Sequence, residues 1–291
     1  MPLTISSMAS AVTLRGCAQQ LRTELSARNQ EYARVRNIEA HLSRGEPPVV
    51  LYAPAENGRA HGNFHPDSYR AILAHPEWRK RLDKRHAQAR EALARNLRPH
   101  WNELDSSCSS DALLMNIFCH PHTVREPRVW ALLGEEAGEP QFGFKARVPL
   151  VGGRTDRTEI DMRVGNLLVE AKLTESDFQR RSCEILDSYR DFADVFDTRM
   201  LPRRESEFCG YQLIRNVLAA HALECSFCVL LDARRPGLLE HWYAVMRSVK
   251  AADLRTRMKV LTWQELALVL PHHVQTFLNC KYGIVPSGAG C

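Results

Sequence analysis

The run Arg157-Thr-Glu-Ile-Asp-Met-Arg-Val-Gly-Asn-Leu-Leu-Val-Glu-Ala-Lys-Leu173 constrains this chain more than any other stretch. Two segments of alternating polarity flank a Gly165-Asn166 loop, the pattern of a β-hairpin with a two-residue turn. With those two residues as the loop, Val164 faces Leu167. Counting outward sets Asp161 opposite Glu170 and Glu159 opposite Lys172. Directly opposed residues share a face, with Cβ atoms about 4.5–5.5 Å apart. One face of the hairpin therefore carries Glu159, Asp161, Glu170 and Lys172. Ile160, Met162, Val169 and Ala171 point the other way, toward a core. Two facing carboxylates repel each other, and a hard divalent cation between them removes that penalty. Mg²⁺ takes one or two carboxylates and completes its shell with water and phosphate oxygens. The competing reading is an exposed hairpin whose Glu159–Lys172 pair contributes little.

An acid-x-Lys match alone carries little weight. The chain has 34 acidic residues and seven lysines, so about one such match arises by chance in this length. The weight comes from a register that the turn itself sets. At 291 residues and 44% apolar, the chain can bury a full core. Its longest apolar runs, such as Phe227-Cys-Val-Leu-Leu231, are too short to span a bilayer, and no secretory leader pattern opens it. Nine irregularly spaced cysteines fit a reducing cytoplasm better than a disulfide framework. A net charge of +5 is compatible with a polyanionic partner. Arginine outnumbers lysine 32 to 7, so arginine counts are weak evidence for nucleic acid, and Lys172 is the more informative for it.

Periodicity predicts an amphipathic helix from Cys17 to Leu42, a short strand at Val49–Tyr52, and a helix capped by Asp67 or Ser68. A basic helix follows over Glu77–Leu97. In it Arg79, Lys80, Lys84 and Arg85 are candidates for gripping phosphates, against the reading of a solvated face. Ser109, Ser110 and Asp111 cap an apolar helix to Phe118. A strand over Phe142–Leu150 precedes the acidic hairpin. Helices are predicted from Ser176 or Asp177 to Phe196 and from Glu205 to Leu223. The strand Cys225–Asp232, a helix over Leu238–Val249, the strand Met258–Leu261 and a last helix to Leu270 complete the order. The predicted class is α/β with a mixed central sheet. Residues 1–104 read as a mainly helical N-terminal region, 105–285 as the core, and 286–291 as a mobile tail.

This α-β-β-β-α-β order, with Asp161 on the second strand and Glu170-x-Lys172 on the third, resembles the PD-(D/E)xK, or restriction-endonuclease-like, nuclease superfamily. His61-Gly-Asn-Phe64, Ser109-Ser110 before Asn116, Thr158 to Glu175, and Tyr211-Gln-Leu-Ile-Arg-Asn216 resemble a bacterial branch of restriction endonucleases. The likeness spans residues 60–265 and is strongest at the hairpin. It implies a Mg²⁺-dependent endonuclease acting on DNA, with Mn²⁺ as a substitute ion. Asp161 and Glu170 would bind metal. Lys172 would orient or activate the attacking water, or stabilise the charge that develops on phosphorus. The resemblance also adds Gln212 as a catalytic candidate and leaves a homodimer open. Ile160 stands where the superfamily usually has Pro. Asp111 is the only acid on the apolar helix, at its first turn. Glu159 reads as the partner that orients Lys172, and Arg215, like Gln212, otherwise reads as the polar face of an amphipathic helix.

Other chemistries find little support. Cys225-x-x-Cys228, Cys119-His-Pro-His122, His272-His273 and Cys280 offer ligand types without an evident partner pair, so no zinc site is expected. There is no phosphate-binding Gly loop, dinucleotide fingerprint or Gly-x-Ser-x-Gly elbow. A non-catalytic nucleic-acid-binding domain on a nuclease-like fold, and a nuclease for RNA or branched DNA, are the remaining alternatives.

Overall fold

The structure is a computed structural model that describes residues 4–85 and 101–286, with side chains from Gly16 onward. The chain divides into two compact units. Among the described residues, one combines 4–18 with 142–262, the other 19–85 and 101–141 with 263–286. The expected border at residue 104 thus falls inside the second unit. No helix among the described residues is long and apolar enough to cross a membrane. The eight described cysteines are all free thiols.

The first unit is built on a five-stranded mixed sheet. Its strands are β1 (Gln141–Lys145), β2 (Glu159–Val164), β3 (Leu167–Ala171), β4 (Ser226–Leu231) and β5 (Met258–Thr262). They lie in the order β5-β4-β3-β2-β1. The hairpin forms in the expected register, with Val164 opposite Leu167, Arg163 opposite Leu168 and Met162 opposite Val169. Gly165 takes φ 53°, the left-handed value that glycine adopts without a Cβ clash. β4 runs parallel to both β3 and β5. That central position buries β3 on both faces, while β2 alternates buried and half-buried.

The helix Tyr211–Ala222 covers this sheet. Leu213, Ile214, Val217 and Leu218 share one apolar cluster with Ile160, Leu168, Phe227 and Val229. Each such buried side chain contributes roughly 1.5–3 kcal/mol. The predicted helix start at Glu205 was six residues early. Gly210 caps the helix at φ 81°, and residues 203–204 and 207–209 are short strands. The predicted continuous helix to Phe196 is likewise broken. Arg180–Ser182 pairs with Glu207–Cys209, leaving only the short helices Cys183–Asp187 and Phe192–Val195.

In the second unit, Pro66–Ala74 is capped by His65 and not by Asp67 or Ser68. The loop before it is tied down at every turn. His61 Nε2 meets Asp105 at 3.1 Å, and the Asn63 amide donates to the carbonyls of Leu104 and Ser106. A Cβ at Gly62 would collide with Tyr52 and Ile38. Ser109 caps the helix Ser110–Phe118, as expected. The basic helix does not run on as predicted. Pro76–Arg79 is helical, Lys80–Asp83 tightens to 3₁₀, and Lys84 is extended. Arg85 forms an isolated antiparallel bridge with Asn102, and the predicted helix beyond it lies outside the described residues.

Candidate active site

The β2–β3 ladder ends at Met162–Val169, one residue short of the acids. There Asp161 substitutes for the ladder: its Oδ2 accepts the Ala171 N–H at 2.8 Å. The Asp161 carboxylate is thereby fixed against the peptide that follows Glu170. Beyond that point β3 leans on β4 instead, the Lys172 N–H donating to the Leu230 carbonyl.

Glu170 and Lys172 are 1% and 4% exposed. Lys172 Nζ donates to Glu170 Oε1 at 2.7 Å, and Asn216 Nδ2 donates to Glu170 Oε2 at 2.8 Å. The Arg215 guanidinium holds Asn216 Oδ1 through Nη2 at 2.9 Å and Nε at 3.1 Å. The same Nη2 donates to the Glu159 carbonyl at 3.0 Å. One polar chain thus runs from the start of β2 through the helix to the Glu170 carboxylate. Burial by itself would lower the Lys172 pKa. The charges of Glu170, Glu175 and Asp161 and the hydrogen bond to Glu170 reverse this and hold it well above the usual lysine value. Lys172 is therefore a fixed ammonium, and its Nζ also lies over the Phe178 ring at 5.8 Å.

Where the sequence suggested Glu159 as the residue orienting Lys172, the structure gives that short hydrogen bond to Glu170. Gln212 sits one helical turn before Asn216, so the two share a face of the Tyr211–Ala222 helix. Sequence reasoning missed two members of the group. Asn216 had a signal, since it closes the Tyr211–Asn216 motif. Glu175 had only its place after the hairpin, and its Oε2 accepts the Leu173 N–H at 2.6 Å.

The proposed phosphate-gripping residues lie in the other unit. Lys80 pairs with Glu77, and Lys84 is engaged by Asp111 and Glu103 at 3.1 Å each. Arg79 and Arg85 are exposed. Asp111 is buried, and Lys84 and Arg81 more than offset the upward push of burial on its carboxyl.

The donor chemistry at Asp161 and Glu170 fits a hard divalent cation. All donors are carboxylate oxygens, and each Glu170 oxygen accepts one hydrogen bond and retains a second lone pair. Two carboxylates suffice for Mg²⁺, which keeps several waters. Among the described residues, one group of three or more ligating side chains comes within coordinating range: His65, Asp67 and His120 in the second unit. Glu175 therefore does not complete a three-acid cluster with Asp161 and Glu170.

A family model described as restriction endonuclease associating with ARP matches residues 27–283. The chain belongs to that family. The match takes in the hairpin, the helix Tyr211–Ala222 and the parallel strands, in keeping with the likeness to restriction-endonuclease-like nucleases. Nuclease-like character follows from membership in the restriction endonuclease associating with ARP family. No curated protein and no solved structure matches the chain.

Proposed function

We propose that this protein is a metal-dependent endonuclease that hydrolyses DNA phosphodiester bonds at Asp161, Glu170 and Lys172. The observation that carries the reading is the Glu170 carboxylate, fixed from both sides by Lys172 and Asn216 beside an Asp161 that is locked to the next peptide. An exposed hairpin with a loose surface pair, the bland alternative, would not bury a glutamate and a lysine this completely. The order β1, hairpin, helix, β4 further supports a restriction-endonuclease-like core.

Asp161 and Glu170 would hold Mg²⁺, or Mn²⁺ in its place. The ion would polarise a phosphodiester oxygen and lower the pKa of a bound water. Lys172 supplies a positive charge that needs no reorganisation as negative charge builds on the phosphorus centre. Its raised pKa makes it a poor general base, so charge stabilisation is the role we assign it. Asn216 and Arg215 keep the Glu170 carboxylate in one orientation. Gln212, on the same helical face as Asn216, would hydrogen-bond water or a phosphate oxygen.

The test is incubation with plasmid, linear duplex, single-stranded DNA and RNA in Mg²⁺, beside Asp161→Asn. That variant keeps an oxygen for the Ala171 N–H while removing the charge. Mg²⁺-dependent cleavage by the wild type and its loss in Asp161→Asn are expected. Equal cleavage by both would sink the assignment. Binding of duplex DNA without cleavage of any substrate would favour a non-catalytic domain instead.

A further inference from the structure

The second unit brings together histidines that the sequence scatters. His65 caps the helix Pro66–Ala74, and His120 caps the short helix Pro121–Val124. His273 stands in the first turn of the helix His272–Tyr282. His120 Nε2 lies 3.2 Å from His273 Nε2 and 3.6 Å from Asp67 Oδ2. The His65 ring packs 4.8 Å from that of His120 and 5.8 Å from that of His273. Single ligating atoms of His65, Asp67 and His120 all fall within 4.8 Å of one another.

The geometry points to a second metal site, in which His65, Asp67 and His120 hold a first-row divalent transition ion of the Zn²⁺ class. Two imidazoles and a carboxylate select such ions over Mg²⁺ and Ca²⁺, which take oxygen donors. His120 is fully buried at the base, whereas His65 and Asp67 are half-buried and His273 is exposed. The ion therefore keeps an open side for water, the arrangement of a three-ligand site and not of a closed structural one. The scaffold beneath is rigid. Asn116 Oδ1 accepts the His65 N–H at 2.7 Å, and its amide donates to the carbonyls of Asn63 and Ala112. Burial and the neighbouring rings push His120 down to about 4, which keeps its ring uncharged near neutrality.

One feature of the site opposes binding. The Nδ1 atoms of His65 and His120 accept the backbone N–H groups of Asp67 and His122, each at 3.2 Å. A neutral ring that ligates through Nε2 carries its proton on Nδ1, so loading at His120 gives up the bond from His122. That bond is at the long end of the hydrogen-bond range. The loss weakens the site and makes the ion exchangeable.

The experiment uses the full chain stripped of metal by a chelator and titrated with Zn²⁺, then Co²⁺, in the presence of millimolar Mg²⁺. One equivalent bound at micromolar affinity is expected, with a Co²⁺ spectrum lacking the thiolate charge-transfer band that a cysteine site would give. Asp67→Ala, at the half-buried rim, should weaken binding by about 10–100-fold or more while thermal unfolding shows an intact fold. His120→Asn should do the same; if that buried change unfolds the unit, Asp67→Ala decides alone. Absence of binding, a thiolate band, or unchanged affinity in folded Asp67→Ala would overturn the proposal.

Discussion

The acidic hairpin and the histidine cluster gather ligating side chains by opposite routes. In the first unit, the acids and the lysine lie within twelve residues of one hairpin, just beyond the end of its ladder, and side-chain hydrogen bonds fix their positions. In the second unit, His120 and His273 are 153 residues apart and meet only because three helix starts converge. The hairpin group is made of hard oxygen donors around a buried ammonium. The cluster is made of imidazole rings with one acid. Local sequence can encode a group of the first kind, whereas the second kind exists only once the tertiary fold does.

Breaking the hairpin should have the largest effect. Asp161→Asn is expected to lower Mg²⁺-dependent cleavage by at least about 100-fold, with thermal unfolding shifted by less than about 1 kcal/mol, since the half-buried side chain keeps its hydrogen bond. Asp67→Ala sharpens the contrast: Zn²⁺ affinity falls, and plasmid cleavage in Mg²⁺ stays at the wild-type rate. Loss of cleavage in that variant would mean the two regions are not chemically separate.

Stability separates them next. Lys172→Ala leaves the Glu170 carboxylate buried without its cation, which should cost roughly 3–5 kcal/mol in urea unfolding. This variant is therefore a poor test of catalysis by itself. Replacing both partners, Glu170→Gln with Lys172→Met, should recover most of that loss, because no lone charge remains buried. A double variant as unstable as Lys172→Ala would refute the ion-pair account. Asn216→Ala should lower cleavage by about tenfold, as expected for a residue that acts by orienting a ligand. Gln212→Ala is expected to be the mildest, a change of a few-fold in cleavage with no loss of stability.

The hairpin was legible because a two-residue turn sets its own register and needs no distant information. Strand β4 was legible from its unbroken apolar run. The stretches 176–196 and 205–210 do not form the continuous helices that the sequence suggests, because their order is imposed from outside. Gln179 and Glu205 take positive φ, and Arg180–Ser182 is held by a strand 25 residues further on. The helix starts at His65 and His120 were missed because sequence rules look for Ser, Thr, Asp or Asn at that position. The partner of Lys172 was missed for a simpler reason. Cross-strand counting pairs residues across the ladder, while the ladder had already ended and Glu170, two residues away, was in reach.

The most direct measurement is the rate of supercoiled-plasmid cleavage across a Mg²⁺ titration, for wild type and Asp161→Asn matched in thermal stability. Saturable, Mg²⁺-dependent cutting by the wild type and a flat baseline for the variant are the result predicted here. Indistinguishable titration curves for the two proteins would contradict it.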